Sequence, residues 1–590
     1  MLKKFFISML GTMAGLWISL LLVFVGGLML VGALAGGSDP AKVEKHSILY
    51  FDLSGEVAER YQPATLAEII QSSTSDAPSL DEMVSALRAA ASDSRIEAVW
   101  LDCGGAAMGM ASREELLEAL RRFRSESGKP VFAYADSYSQ GDFILASEAD
   151  SVFLNPMGAV DIHGLGAMTP FFKNTLDKLG VRMQIVKVGS FKSAVEPFIL
   201  TQMSDSARLQ TQQYVDSLWT FGAEAIAAGR SLPADSVFAW APRMMATMPA
   251  QTFVDCGLVD ALAYRRNFEN MLRELTGRDA DEDLRTIAPA DYLAGADLLA
   301  TLNTAKPHVA VYYAVGDIVD TGDGGIVGAD VVPDIIELAD DDNVRALVLR
   351  VNSGGGSAFA SEQIWEALEY FKSKNKPFYV SMGDYAASGG YYISCGADRI
   401  YADATTLTGS IGVFGMIPDF SGLVTDKLGV TFTVVESNAN GAGISTMAAM
   451  TPEQHEAMQR SVDDIYDRFT GRVATGRHME QDAVKLIAEG RVWVGGKALE
   501  LGLVDEIGSL RTAIAAIAAA NDLEADAVVA YPADEEDMWV RILRESGGIS
   551  ADALGTQSSL DPEALRSLRF IRSLSTMNPM QARMEPVLFK

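Results

Sequence analysis

Residues 5–37 contain no charged side chain, and a helix needs only about 20 apolar residues to cross a bilayer, so this run predicts one transmembrane helix within residues 1–40. Lys3 and Lys4 precede it and Asp39 follows, an asymmetry that leaves the N-terminus in the cytoplasm and sends the remaining chain outward. A cleaved leader is the competing reading, since Ala33-Leu34-Ala35 has the small-x-small form of a cleavage site. The uncharged run is, however, longer than the roughly 7–15 residues of an ordinary leader core. Past residue 45 the pattern changes. Short apolar runs alternate with helical stretches, as at 309–313, 333–338, 346–351, 362–371 and 378–381, which predicts βαβ units and an α/β fold. Over 451–473, Ala457, Met458, Val462, Ile465, Phe469 and Val473 recur at helical spacing, predicting a packing helix with one apolar stripe.

These patterns occur twice. Residues 45–290 and 305–525 run through the same series about 245 to 250 positions apart, the signature of a tandem duplication. An apolar strand enters a glycine turn at Gly104-Gly105 and again at Gly354-Gly355; Lys129-Pro130 answers to Lys376-Pro377, and Ala149-Asp150 to Ala397-Asp398. Lys178-Leu179-Gly180-Val181 matches Lys427-Leu428-Gly429-Val430, Gly229-Arg230 matches Gly476-Arg477, and Gly257-Leu258-Val259-Asp260 matches Gly502-Leu503-Val504-Asp505. Residues 541–590 have no counterpart in the first half and read as a C-terminal extension.

Composition narrows the chemistry. The 78 acidic residues against 48 basic ones give a formal charge of -30, which repels phosphate backbones and excludes a nucleic-acid binder that works through clustered Lys and Arg. Three cysteines in no metal-site spacing and five histidines without H-E-x-x-H exclude a disulfide framework, a zinc fold and a zinc protease, so no metal or cofactor is expected. Nucleotide binding has no support, because neither G-x-x-x-x-G-K-[ST] nor G-x-G-x-x-G after a first strand is present.

The candidate chemistry lies in G-D-Y-A-A-S-G-G at 383–390. A serine between an apolar strand and a small-residue helix either caps that helix or presents its hydroxyl as a nucleophile, with the Gly389 N–H free for an oxyanion. The glycine turn Ser353-Gly354-Gly355-Gly356 can bring further N–H donors to the same carbonyl. No Ser-His-Asp arrangement or G-x-S-x-G elbow supplies a histidine base; a lysine neutralised by burial can take its place. Lys376, in the S-x-x-K of 373–376, sits in a lysine-rich run that reads as a solvated helix end. Lys192, among Gly189, Ser190, Phe191, Ser193 and Ala194, is the better candidate, though a surface lysine is the default reading.

Together the motifs F-K-S-A-V-E-P-F at 191–198, A-S-G-G-Y-Y at 387–392 and T-G-S-I-G-V-F-G at 408–415 resemble the long, membrane-anchored bacterial signal peptide peptidases, also called protease IV. The resemblance runs from the anchor to about residue 525. It implies two Clp/crotonase-like halves, the first carrying the base and the second the nucleophile, and a serine protease that degrades signal peptides after their release. It places the nucleophile on Ser388, the base on Lys192, a base-supporting serine on Ser410, and oxyanion donors on Gly389 and Gly355. It also implies a homotetramer in the cell inner membrane, with the catalytic part periplasmic and released signal peptides or other apolar peptides as partners. One departure stands out: the family's Ser-Pro-Gly-Gly is Ser353-Gly354-Gly355-Gly356 here.

The duplication offers an independent check. Aligning the two Ala-Asp pairs sets Gln140 opposite Ser388 and Ile162 opposite Ser410, and aligning the Lys-Leu-Gly-Val runs sets Gly441 opposite Lys192. Each half keeps what the other lacks. Two other classes share the fold: an acyl-CoA enzyme, against which the anchor and the acidity speak, and a catalytically inactive membrane scaffold.

Overall fold

The computed structural model describes residues 42–61, 77–295, 304–322, 324–532 and 580–584. The transmembrane reading of residues 5–37, and most of the extension at 541–590, lie outside these residues. Among the described residues no helix is long and apolar enough to cross a membrane.

Apolar runs buried on both faces are what a parallel sheet between helices demands, and each half builds one. In the first half the order is Ala261–Leu262, Ser151–Leu154, Val131–Ala135, Ile96–Ala107, Ser47–Glu56, Thr286–Ile287, all parallel. In the second half Glu506–Ile507, Arg399–Ala402, Phe378–Ala387, Val344–Ser353, His308–Val315 and Val528–Tyr531 repeat that order, again parallel. Leu407–Gly409 extends the Phe378–Ala387 strand's pairing, and Val492–Val494 adds an antiparallel edge. Separate hydrophobic cores fill the two halves.

The motifs that repeat are structural. Lys129 donates to the carbonyls of Ala90 and Asp93 at 2.6 Å, and Lys376 to those of Ala339 (2.8 Å) and Asp341 (2.6 Å), so each closes the end of a preceding helix. Asp260 accepts from the Val152 N–H and pairs with Arg230, as Asp505 accepts from the Ile400 N–H and pairs with Arg477. The predicted stripe forms the helix Pro452–Gly476, capped by Thr451, which buries Val462, Phe469 and Val473; Ala457 is on its exposed side.

A third sheet is assembled from both halves: Ile326–Val327, Ile318–Val319, Gly355–Ser357, Met580–Arg583, Phe414–Asp419, Arg182–Lys187. The halves also meet at a buried charge cluster. Arg350, fully buried, donates to Glu59 (3.0 Å) and Glu115 (2.9 Å) of the first half and to Ser381 (3.0 Å).

Candidate active site

The strand Phe378–Ala387 delivers the chain to Ser388, and the helix Gly389–Ser394 begins immediately after it. At Ser388 φ is 57° and ψ −113°, a conformation strained for an L side chain. It is held by the Ser388 N–H, which donates to the Gly409 carbonyl at 2.7 Å. The Ser388 side chain makes no capping bond. Its hydroxyl is instead engaged by the candidate base.

Lys192 lies in the turn that follows the strand Arg182–Lys187. That strand leaves the first half and pairs antiparallel with Phe414–Asp419 of the second, carrying the lysine to the nucleophile. Lys192 Nζ donates to Ser388 Oγ at 2.8 Å and to the Ser410 Oγ and carbonyl, both at 3.1 Å. All three residues are almost completely buried. Among the described residues no carboxylate touches the amine, and burial alone pushes its pKa well below the ordinary lysine value. Ser410 itself has φ 50°, and its N–H donates to the Arg491 carbonyl at 2.7 Å. The default reading of Lys192 as a surface lysine is thus set aside by its burial.

Two residues that sequence reasoning missed hold the candidate base in place. Gln210, on the helix Asp205–Gly229, donates to the Phe191 carbonyl (3.1 Å) and Ser193 Oγ (3.0 Å) and accepts from the Val492 N–H (3.2 Å), clamping the lysine turn against the second half. Gly490, at φ 78°, passes so close that a Cβ there would lie 2.7 Å from the Lys192 Cβ. Neither stands in a motif, so only the fold shows what it touches.

The two expected oxyanion donors differ in what they already bond. The Gly389 N–H opens its helix, and a Cβ on Gly389 would meet Ser361 Oγ at 2.7 Å, so a larger residue there must displace Ser361. The N–H of Gly355, the second expected donor, at φ 97°, is bonded to Ser353 Oγ at 3.1 Å. The next residue is the alternative candidate donor. Gly356 pairs with Ala582 of the C-terminal segment, and because the Met584 N–H donates to the Gly354 carbonyl (2.7 Å), antiparallel alternation makes Gly356–Ala582 the next hydrogen-bonded pair. The triple glycine hid this, since without the family's proline the sequence has no mark to set which N–H faces inward.

At the vacated first-half position Gln140 is buried, its amide donating to the Gly164 carbonyl (2.9 Å) and accepting from the His163 (3.0 Å) and Gly164 (2.9 Å) N–H groups. Each of these hydrogen bonds is to backbone. Gly441, opposite Lys192 in the alignment, is exposed.

The family model for peptidase family S49 matches residues 124–278 and 370–524. Protease 4 of Haemophilus influenzae is 36% identical over 514 residues, covering 83% of this chain and 82% of that protein. Protease 4 of Salmonella typhi is 36% identical over 516 residues, 85% of this chain and 82% of the relative. Among solved structures, ClpP1 from Listeria monocytogenes aligns with 34% of this chain and 92% of its own at 16% identity, with a TM-score of 0.23.

Proposed function

The chain belongs to peptidase family S49 and is a serine protease, and from that premise we propose that Ser388 is its nucleophile, Lys192 its general base and released signal peptides its substrates. The observation that carries the assignment is the 2.8 Å hydrogen bond from Lys192 Nζ to Ser388 Oγ between two fully buried side chains. Neutral Lys192 takes the Ser388 proton as Oγ adds to a peptide carbonyl, and the N–H groups of Gly389 and Gly356 receive the developing oxyanion. The ammonium then gives its proton to the leaving amine. A water molecule, deprotonated by the same lysine, releases the acyl group. Ser410 keeps the amine in line throughout.

In the same reading residues 5–37 anchor the chain in the inner membrane with both halves periplasmic, beside substrates that remain in the bilayer after release. The uncharged run and the lysines before it support this placement. Each half follows the Clp/crotonase-like plan, and the chains assemble head to tail into a homotetramer. Residues 431–436, which repeat the strand Arg182–Lys187, support the assembly: they are exposed, Phe432 and Val434 included, and join no sheet among the described residues. The counterpart of the edge that Arg182–Lys187 joins lies at 166–171 and is partly exposed.

A fluorophosphonate probe tests the chemistry. It should label Ser388 in the folded chain, and neither Ser388→Ala nor Lys192→Ala should react at a comparable rate. Equal labelling of the Ser388→Ala chain overturns the assignment.

A further inference from the structure

The duplication lets one wall of the second half be compared with its counterpart in the first. In the first half Arg124, near the end of the helix Met110–Ser127, donates to the Glu148 carbonyl at 2.9 Å and pairs with Asp150 at 2.5 Å. In the second, Lys372, near the end of the helix Ala358–Ser373, donates to the Gly396 carbonyl at 2.8 Å and pairs with Asp398 at 3.5 Å. Lys372 therefore answers to Arg124, and Gly396 to Glu148. Three residues earlier on each helix Glu369 answers to Arg121, and seven earlier Trp365 answers to Leu117. The matching pairs Arg230–Asp260 and Arg477–Asp505 fix the register of a second helix, so Arg472 stands where the first half has Ala225.

In the first half this wall neutralises itself: Glu148, only 7% exposed, accepts from Arg121 Nε at 2.8 Å. In the second half the charge on the helix is reversed and glycine replaces the partner. Glu369 and Trp365 lie against Gly396, where a Cβ would stand 2.8 Å from Glu369 Oε1 and 3.0 Å from Trp365 Nε1. These side chains line a cavity of about 320 Å³. The cations on its wall have partners, Lys372 in Asp398, Arg472 in Glu362 (2.7 Å) and Arg477 in Asp505 (2.9 Å). Glu369 has no ion pair among the described residues, and burial raises its pKa above the ordinary carboxylate value although Lys372 and Arg472 are near. Two donors are also left over. Trp365 Nε1–H and Arg472 Nε–H are buried and find no acceptor among the described residues. Arg472 lies over the Trp365 ring, its Cζ 3.7 Å from the centroid, which holds the two groups together.

An unpaired carboxylate calls for a cation, and buried N–H groups without acceptors call for an oxygen. Among the described residues no cluster of side chains could hold a metal ion, so the cation that fits is organic. We propose that this cavity is a binding site for a free α-amino acid or short peptide, its α-ammonium on Glu369 and its neighbouring carbonyl or carboxylate oxygen on the N–H groups of Trp365 and Arg472. The volume lies at the lower end of the roughly 300–1,000 Å³ of small-molecule sites, which keeps the occupant short. The first half, with Arg121 and Glu148 already paired, has no such site. The proposal does not rest on the protease reading; under that reading the ligand class includes the fragments that the enzyme itself releases.

The test titrates the dipeptide Ala-Ala into full-length chain carrying Ser388→Ala, so that no probe is turned over, and reads the heat of binding. Ala-Ala should bind at one site per chain. N-acetyl-Ala-Ala, which has no ammonium, should bind at least about ten-fold more weakly, and adding Glu369→Gln should weaken Ala-Ala by a similar factor, since each removes a charge-assisted hydrogen bond. Trp365→Phe keeps a ring beneath Arg472 and loses the N–H, so it should weaken binding by about three-fold or more. Rebuilding the first half's wall with Trp365→Leu, Glu369→Arg and Gly396→Glu together should abolish binding while the circular dichroism stays that of the parent. If that triple variant does not fold, the nearly isosteric Glu369→Gln decides the question. No heat from millimolar Ala-Ala overturns the proposal. Binding undiminished by Glu369→Gln also overturns it, because the dipeptide then sits elsewhere, the cleft beside residue 388 included. Equal binding of the acetylated dipeptide does the same, since the ammonium then makes no contact.

Discussion

The two halves share a strand order, a lysine that closes a helix before the third strand, and an Arg-Asp pair beside the fourth, yet they have diverged at the positions of the proposed dyad. Where the second half has Ser388 the first has Gln140, satisfied by its own backbone. Where the first half has Lys192 on a turn docked into its neighbour, the second has Gly441 on an exposed segment. The strand Arg182–Lys187 explains the division. It pairs with the other half and so carries Lys192 to within 2.8 Å of Ser388 Oγ; on the reading proposed above, one complete site within a chain leaves the reciprocal site free to decay.

The strongest test of this division is to break it at its two poles. Ser388→Ala and Lys192→Ala should each lower kcat/KM by about 10⁴-fold or more with the fold intact by circular dichroism, since both act in the chemical step. Because one chain holds both residues, co-expressing the two variants should restore no activity. Recovery in mixed oligomers would place the site between chains.

Gly490→Ala sharpens the comparison from the second half's side. A Cβ there would meet the Lys192 backbone at 2.8 Å, so the base must shift, and displacements of this size cost on the order of 10²-fold in kcat. Unaltered turnover would show that the lysine turn adapts freely.

The pH dependence follows from burial. The folded-state pKa of Lys192 is depressed, so the active neutral amine accumulates as pH rises through that lowered value, and the rate should climb to a plateau below the roughly 10.4 of a free lysine. Stability has the same sign. Between the depressed folded pKa and the unfolded one the unfolded chain binds the extra proton, so raising pH stabilises the native state across that window. In denaturant titrations wild type should therefore gain on Lys192→Met as pH rises from neutral toward the free-lysine value; a constant difference would mean that the amine is not buried.

The smallest effect belongs to the vacated site. Gln140→Ala should leave turnover per folded molecule unchanged while costing about 1–3 kcal/mol of stability, because the buried backbone groups of Gly164 lose their partners.

Much of this was legible in the chain. Strand alternation and the repeated motifs carry the α/β duplication because both express local hydrophobic pattern. Lys192 and Ser388 could be singled out because each sits among small residues with few charges nearby. Gly356, Gln210 and Gly490 could not, since their roles come from which backbone passes within a few ångströms in the folded chain. Nor could the tail: Met-Gln-Ala-Arg has no pattern of its own, and its place is set by two edges formed far away in sequence. Lys376 shows the opposite failure, an S-x-x-K match whose amine is taken up by helix-end carbonyls.

Arg350 has a consequence for how the molecule comes apart. Its guanidinium is sealed between Glu59 and Glu115 of one half and Ser381 of the other, so pulling the halves apart would strand a cation in an apolar wall and two carboxylates opposite it. Removing one member of such a group typically costs about 3–5 kcal/mol. Neither half then has a melting temperature of its own: calorimetry should record a single endotherm for residues 42–532, and a protease that nicks the connection near residue 300 should leave two pieces that stay together until both unfold.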